Sequence, residues 1–230
     1  MKINGFQKMT LLDFPGHVAA TVFTGGCNLR CPFCHNALLV TEIDPDTLYN
    51  TEDVLNYLRG RTKLLDGVAI TGGEPLLQPD ISGFIKKIKA MGYKVKLDTN
   101  GTFPDKLADI IEEGIVDYIA VDIKNCREKY PETVGVTDFD VSKIDRTAEI
   151  LRKGGIDYEF RTTVVDRFHT VSDIKRIGEW VGGAPHYFLQ NFVDSGNLIG
   201  ENMSAVPKET LFEMKEAAKP YFKSVDIRGI

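Results

Sequence analysis

Six times along the chain a short run of apolar and β-branched residues gives way to a stretch with apolar residues at helical spacing, and few folds accommodate that alternation. The runs that read as strands are His17 to Thr24, Gly67 to Thr71, Lys94 to Thr99, Tyr118 to Lys124, Tyr158 to Val165 and Tyr187 to Val193. Each is short and mostly apolar, as expected of parallel strands covered on both faces. Between them, Ile81, Phe84, Ile85 and Ile88 fall at i, i+3, i+4 and i+7 behind an Asp80 cap, which makes one buried stripe. Thr51 before Glu52 and Asp53, Pro104 before Leu107, Ile110 and Ile111, and Ser172 before Ile174 and Ile177 read as further helix openings. A last helix is expected near Pro207, through Leu211 and Met214, followed by a short tail strand at Val225-Asp226-Ile227. Six strand-helix pairs are fewer than the roughly eight that close a full barrel. The expected fold is therefore α/β, a partial, open (β/α)6 barrel forming one core domain over residues 1–230, with a lead-in at 1–16 and a helix and tail at 207–230. Its ligands belong at the carboxyl ends of the strands.

The first of those ends carries the chain's densest chemistry. Directly after Thr24-Gly25-Gly26, three of the four cysteines fall in Cys27-Asn28-Leu29-Arg30-Cys31-Pro32-Phe33-Cys34. Soft thiolates favour iron-sulfur clusters or zinc over hard cations, and three on one loop can hold three corners of an iron-sulfur cube. The fourth iron then has no protein ligand and is open to an outside molecule. A structural zinc site closes with four ligands and would need the distant Cys126. Cys31-Pro32-Phe33-Cys34-His35 also fits the haem-attachment pattern, which calls for export, yet Met1-Lys2-Ile3-Asn4-Gly5 has no apolar signal core. Disulfides suit oxidising compartments and small scaffolds, and neither condition fits this chain.

The other strand ends add polar residues in the same inferred mouth. Val68-Ala69-Ile70-Thr71 runs into Gly72-Gly73-Glu74-Pro75, where two glycines permit close backbone approach and Glu74 is expected to face a ligand; taken alone, the same four residues make a tight turn. Asp98, in Leu97-Asp98-Thr99-Asn100-Gly101, and Asp122, in Val121-Asp122-Ile123-Lys124, are acids ending apolar strands, where a carboxylate needs a partner or a bound cation. Lys124 offers donors to an anion. The structural alternative is a rim salt bridge among Asp98, Asp122 and Lys124. Arg161 either reaches a ligand or pairs with Glu159 or Asp122. His17, His35, His169 and His186 read as structural or exposed, and Cys126 as a partly buried thiol.

C-x3-C-x2-C with an aromatic before the last cysteine, followed on the next strand by Gly-Gly-Glu-Pro, resembles the radical S-adenosylmethionine (radical SAM) superfamily. That resemblance implies one [4Fe-4S] cluster on Cys27, Cys31 and Cys34, with S-adenosyl-L-methionine chelating the open iron. Reductive cleavage of that cofactor gives methionine and a 5′-deoxyadenosyl radical that abstracts hydrogen. It further implies that Phe33 flanks the adenine, that Gly72, Gly73 and Glu74 receive the methionine amino group, and that Lys124 meets the carboxylate. Asp98, Thr99, Asn100 and Asp122 are implied to line the same pocket. Asp13-Phe14-Pro15-Gly16 before the first strand and Cys34-His35-Asn36 after the loop are similar to the activating enzymes of glycyl radical proteins, most of all those serving anaerobic ribonucleotide reductase. In that group Asp98 and Asp122 resemble a monovalent cation site. The implied partners are a glycyl radical enzyme and a flavodoxin or ferredoxin-type electron donor. One departure stands out: on the sixth strand, where formate-lyase activases carry a histidine, this chain reads Gln190-Asn191-Phe192.

Other function classes fit less well. A net charge of −5 without a block of lysine and arginine lacks the footprint of a nucleic-acid binder. No run reaches the length of a membrane span, so a cytoplasmic protein is expected. One spare cysteine is too few for an auxiliary cluster. The remaining rivals are a radical enzyme acting on a small molecule, such as one forming a deazapurine ring, and a non-catalytic zinc or iron-sulfur module.

Overall fold

The computed structural model describes residues 1–43 and 45–229. One eight-stranded sheet runs in sequence order from β1 (Ile3–Thr10) through β2 (Ala19–Thr24), β3 (Gly67–Gly72), β4 (Lys94–Thr99), β5 (Tyr118–Asp122), β6 (Asp157–Val164), β7 (His186–Asn191) and β8 (Ser224–Arg228). β1 pairs antiparallel with β2, and every later neighbour is parallel. β1 and β8 are the two edges, so the barrel is open, as the count of strand-helix pairs predicts.

The helices in chain order are α1 (Ala37–Thr41), α2 (Thr51–Arg59), α3 (Ile81–Lys89), α4 (Pro104–Glu112), α5 (Tyr130–Val134), α6 (Ser142–Arg152), α7 (Val171–Val181) and α8 (Lys208–Ala218). α2, α3, α4, α6, α7 and α8 are the six crossovers. Their apolar stripes pack on the sheet: Ile81, Phe84, Ile85 and Ile88 of α3 are all buried. Local signals place the helix starts within a residue or two of expectation. α2 is capped by Asn50, whose side chain accepts from the Glu52 amide, and α7 by Thr170 in a capping box with Asp173, so neither Thr51 nor Ser172 is itself the cap.

The tail strand expected at Val225-Asp226-Ile227 is present as β8, and its Arg228 reaches back into the barrel. There it gives two hydrogen bonds, of 2.7 and 2.9 Å, to the fully buried Glu159, which also accepts from the Tyr118 hydroxyl. β1 lies inside the segment read as a lead-in. It is an edge strand with Gly5, Gln7 and Lys8, only its two ends are buried, and it lacks the apolar run that marks the inner strands. Because Glu159 would be left as a buried unpaired carboxylate, Arg228→Ala should lower unfolding free energy by about 3 kcal/mol, the lower part of the range for breaking a buried pair since Arg228 is partly exposed. Urea titration with matched slopes for the two proteins measures the change.

Candidate active site

The cysteine loop leaves β2 and lies flat against the turn that leaves β3, held by backbone groups. Gly73 N donates to Thr24 O at 2.8 Å, Glu74 N to Gly26 O at 2.8 Å, and the Asn36 side chain to Gly72 O at 2.9 Å. A Cβ at position 73 would overlap the Gly26 carbonyl, and Gly72 has φ +112° with Thr24 backbone atoms where a Cβ would stand. Only glycine fits both positions. On the loop's other side, Arg30 N donates to Val134 O of α5 at 2.9 Å, and Gly200 N to Pro32 O at 2.8 Å.

A cavity of about 240 Å³ opens at the carboxyl ends of the strands. Eleven of the twelve residues expected at the site line it: the three cysteines, Phe33, Gly72, Gly73, Asp98, Thr99, Asn100, Asp122 and Lys124. Glu74 does not. Its carboxylate is fully buried and accepts from the Leu76 amide (3.0 Å), the Thr99 hydroxyl (2.8 Å) and the Asn100 amide (2.7 Å), so it ties the β3 turn to the end of β4 rather than facing the cavity. Burial pushes its pKa up to about 7 against the pull of those three donors.

All four cysteines are free thiols. Cys31 is buried and desolvation pushes its pKa up to about 12, with the charge of Lys124 working the other way. Cys27 and Cys34 are half-buried and also raised, chiefly by burial. Cys27 Sγ accepts from Leu29 N at 3.4 Å and from the Asn100 side-chain amide at 3.6 Å. Among the described residues no three His, Cys, Asp or Glu side chains converge as ligands of one metal ion. Three soft thiols on one loop can each bind a separate iron of a cube. The donor set therefore fits a three-cysteine cluster.

Below the thiols, four carboxylate oxygens meet three buried or half-buried cations. Asp122 accepts from Lys124 Nζ at 3.2 Å and from Arg161 Nε at 2.9 Å; Asp98 accepts from Arg161 at 3.1 Å and from Lys96 Nζ. Burial alone would raise both acids, but Arg161 with Lys124 or Lys96 outweighs it and holds them below the usual carboxylate range. Lys124 is held above its ordinary value: burial opposes its charge, and its pairing with Asp122 does most to outweigh burial. The Lys124 main chain is fixed too, its carbonyl accepting from His169 Nε2 at 2.8 Å and its amide donating to the Tyr130 hydroxyl at 3.3 Å. Side-chain cations thus face every oxygen of the two carboxylates.

Arg161 both lines the cavity and pairs with Asp122 and Asp98; Glu159 belongs to Arg228 instead. Thr163 and Gln190 also line the cavity; the sequence singled out Gln190 only as a departure from the formate-lyase activases and Thr163 not at all as a site residue. Thr163 is two residues after Arg161 on β6 and is in register with Gln190 on β7, so strand alternation carried the signal. Cys126 is fully buried, 3.6 Å from Asp173, and lies outside the cavity lining.

Residues 21–181 match the profile of the radical SAM superfamily. The chain belongs to that superfamily. Along its whole length it is similar to "Putative glycyl-radical enzyme activating enzyme MJ1227" of Methanocaldococcus jannaschii, with 31% identity over 238 residues covering 99% of this chain and 96% of that protein. A 7-carboxy-7-deazaguanine synthase of Methanopyrus kandleri matches over about half of each chain, at 33% identity over 130 residues covering 48% and 51%. In fold the chain resembles Streptococcus suis SuiB bound to its precursor peptide SuiA, with a TM-score of 0.73 at 15% identity, over 91% of this chain and 48% of that one. The family implies a [4Fe-4S] cluster and S-adenosylmethionine, and a radical SAM enzyme with an open α/β barrel is the plain reading of fold, profile and site together. No helix among the described residues is long and apolar enough to cross a membrane.

Anaerobic reconstitution followed by iron and sulfide analysis tests the ligand set. Cys27→Ala, Cys31→Ala and Cys34→Ala should each lose the cluster, while Cys126→Ala should keep it; equal loss in Cys126→Ala would mean a four-cysteine site. Because burial keeps the metal-free thiols protonated, cluster loading releases protons, and apparent iron affinity should rise with pH across the neutral and mildly alkaline range. Gly73→Ala should fail to load iron while retaining a native far-ultraviolet spectrum, since its Cβ displaces the loop and not the core.

Proposed function

We propose that this radical SAM protein is a glycyl radical enzyme activating enzyme, the partner being an anaerobic ribonucleotide reductase. The single observation that supports this most is the end-to-end similarity to the M. jannaschii protein, against a match of only half the chain to the deazaguanine synthase. The rest follows from the site. Cys27, Cys31 and Cys34 would hold the cluster, three ligands for a group that offers four irons. Gly72 and Gly73 offer backbone to the amino group of S-adenosylmethionine, Lys124 its ammonium to the carboxylate, and Phe33 its ring to the adenine. Glu74 acts from behind, fixing Thr99 and Asn100. Asn100 steadies the Cys27 thiolate. When bound and supplied with one electron from a flavodoxin or ferredoxin-type donor, S-adenosylmethionine would supply hydrogen-abstracting radical chemistry, with methionine and 5′-deoxyadenosine as its products and a glycyl radical on the partner.

A protein substrate fits a single core domain, in the cytoplasm, whose cavity is lined by the cysteine loop, the start of α1 and the barrel strand ends. The target loop must leave its own enzyme, which costs about 1–2 kcal/mol per residue newly fixed. Association is therefore expected to be weak and transient.

Mixing the reduced, reconstituted protein and S-adenosylmethionine with glycyl radical enzymes of the same genome should give a glycyl doublet by electron paramagnetic resonance. No doublet with any of them, alongside turnover of a small metabolite, would favour the deazapurine-type reading. Lys124→Ala should keep its cluster yet bind S-adenosylmethionine about tenfold or more weakly, the effect of losing a charge-assisted bond of roughly 1.5–3 kcal/mol. Unchanged affinity would leave Lys124 as a rim salt bridge only.

A further inference from the structure

One buried charge has no part in the mechanism so far. Lys96 stands on β4 two residues before Asp98, so both side chains point to the same face of the strand, into the barrel. The Lys96 side chain is only 2% exposed, and its ammonium is hydrogen-bonded to Asp98 Oδ1. A buried ammonium is tolerated only when paired. Here the pairing completes a chain of five groups, Lys96, Asp98, Arg161, Asp122 and Lys124, in which three cations serve two carboxylates.

That count decides what else can enter. A sodium or potassium ion is drawn to carboxylates whose negative charge is not yet offset, and each oxygen of Asp98 and Asp122 already accepts from a cationic donor. An added cation would also meet a cluster whose charges sum to +1, which attracts an anion and repels a metal ion. Glu74 does not change the balance, because its carboxylate is turned to the Leu76, Thr99 and Asn100 donors. Glu159 is matched by Arg228.

We propose that Lys96 is a built-in counter-ion standing where the activating enzymes hold a monovalent cation, so that S-adenosylmethionine binding by this protein is independent of potassium and sodium. Arg161 bridges the two carboxylates, and Lys96 neutralises the oxygen of Asp98 that Arg161 leaves over. Lys124 is thereby free to exchange Asp122 for the cofactor carboxylate without leaving the acids short of positive charge. The proposal rests on the assignment of this cavity to S-adenosylmethionine.

The test measures equilibrium binding of S-adenosylmethionine to the anaerobically reconstituted wild-type protein in potassium, sodium or tetramethylammonium chloride at one ionic strength. Affinity should agree within about twofold across the three salts. Lys96→Met, of similar length and uncharged, should bind about tenfold tighter in potassium than in tetramethylammonium, while Lys96→Arg should remain salt-independent. Wild-type affinity that rises saturably with potassium overturns the proposal, as does a Lys96→Met protein that behaves like the wild type in all three salts. Sodium NMR line broadening on the same holoprotein reads the cation site without the cofactor: displaceable sodium binding in the wild type overturns the proposal, and its appearance only in Lys96→Met supports it. If Lys96→Met does not fold, the wild-type and Lys96→Arg arms decide. If the wild type binds no S-adenosylmethionine in any salt, the cavity assignment fails, and the sodium measurement still decides Lys96.

Discussion

The contact on which this structure depends is backbone against backbone, where the loop leaving β2 meets the turn leaving β3. Three thiols can share one cluster only if their loop is held in a fixed curve, and a loop with no regular hydrogen bonding of its own needs outside support. Gly72 and Gly73 supply it by bringing peptide groups where no side chain would fit, so Thr24 and Gly26 carbonyls accept from the turn. The supports on the other side, Val134 and Gly200, act in the same way. A loop pinned by main chain on three sides is insensitive to surface substitution and sensitive to a single methyl group at position 73.

Electrostatics divides the cavity into two parts with different requirements. Near the thiols burial dominates, raising the pKa values of all three cysteines, so the metal-free site is electrically quiet. Beneath them the opposite holds, because dense pairing keeps Asp98, Asp122, Lys124 and Arg161 charged despite burial. A low-dielectric floor with fixed charges strengthens every interaction made to a ligand above it. Such a floor is preorganised: the charges need not move far to receive a zwitterionic cofactor, since each already lies within an ion-pair network.

Much of this was legible in the sequence, and the exceptions share a physical cause. Inner parallel strands are buried on both faces, so their apolar runs give them away, and the cysteine spacing together with Gly-Gly-Glu-Pro on the next strand points to one chemistry. β1 was invisible because an edge strand answers to solvent, and Gln7 and Lys8 look like loop. Glu74 was placed correctly in sequence and wrongly in orientation. Its neighbours' backbone amides, at Leu76 and Asn100, compete for the carboxylate more effectively than an open cavity does, and backbone donors leave no mark in a sequence. Arg161 could not be assigned between Glu159 and Asp122 from sequence because the choice was made by Arg228, sixty-seven positions later, arriving on the tail strand to take Glu159. Thr163 was readable in principle from strand alternation with Arg161, but a neutral polar residue carries no charge to draw attention to it.

The placement of rigidity also bears on the substrate. The cluster loop is pinned by main-chain and side-chain hydrogen bonds and the charged floor by linked ion pairs, and even the long connection after β7 is tied down, through Gly200 to Pro32 and through Asp166 N to Ser204 O. The wall formed by Thr163 and Gln190 differs, being made of side chains at the ends of β6 and β7. A site that must bind one invariant cofactor and also admit a variable substrate would divide its surfaces in this manner. The invariant half is set by backbone and buried charge, where mutation is costly, and the adaptable half by uncharged side chains on strand ends, where a change of residue reshapes the pocket without disturbing the sheet.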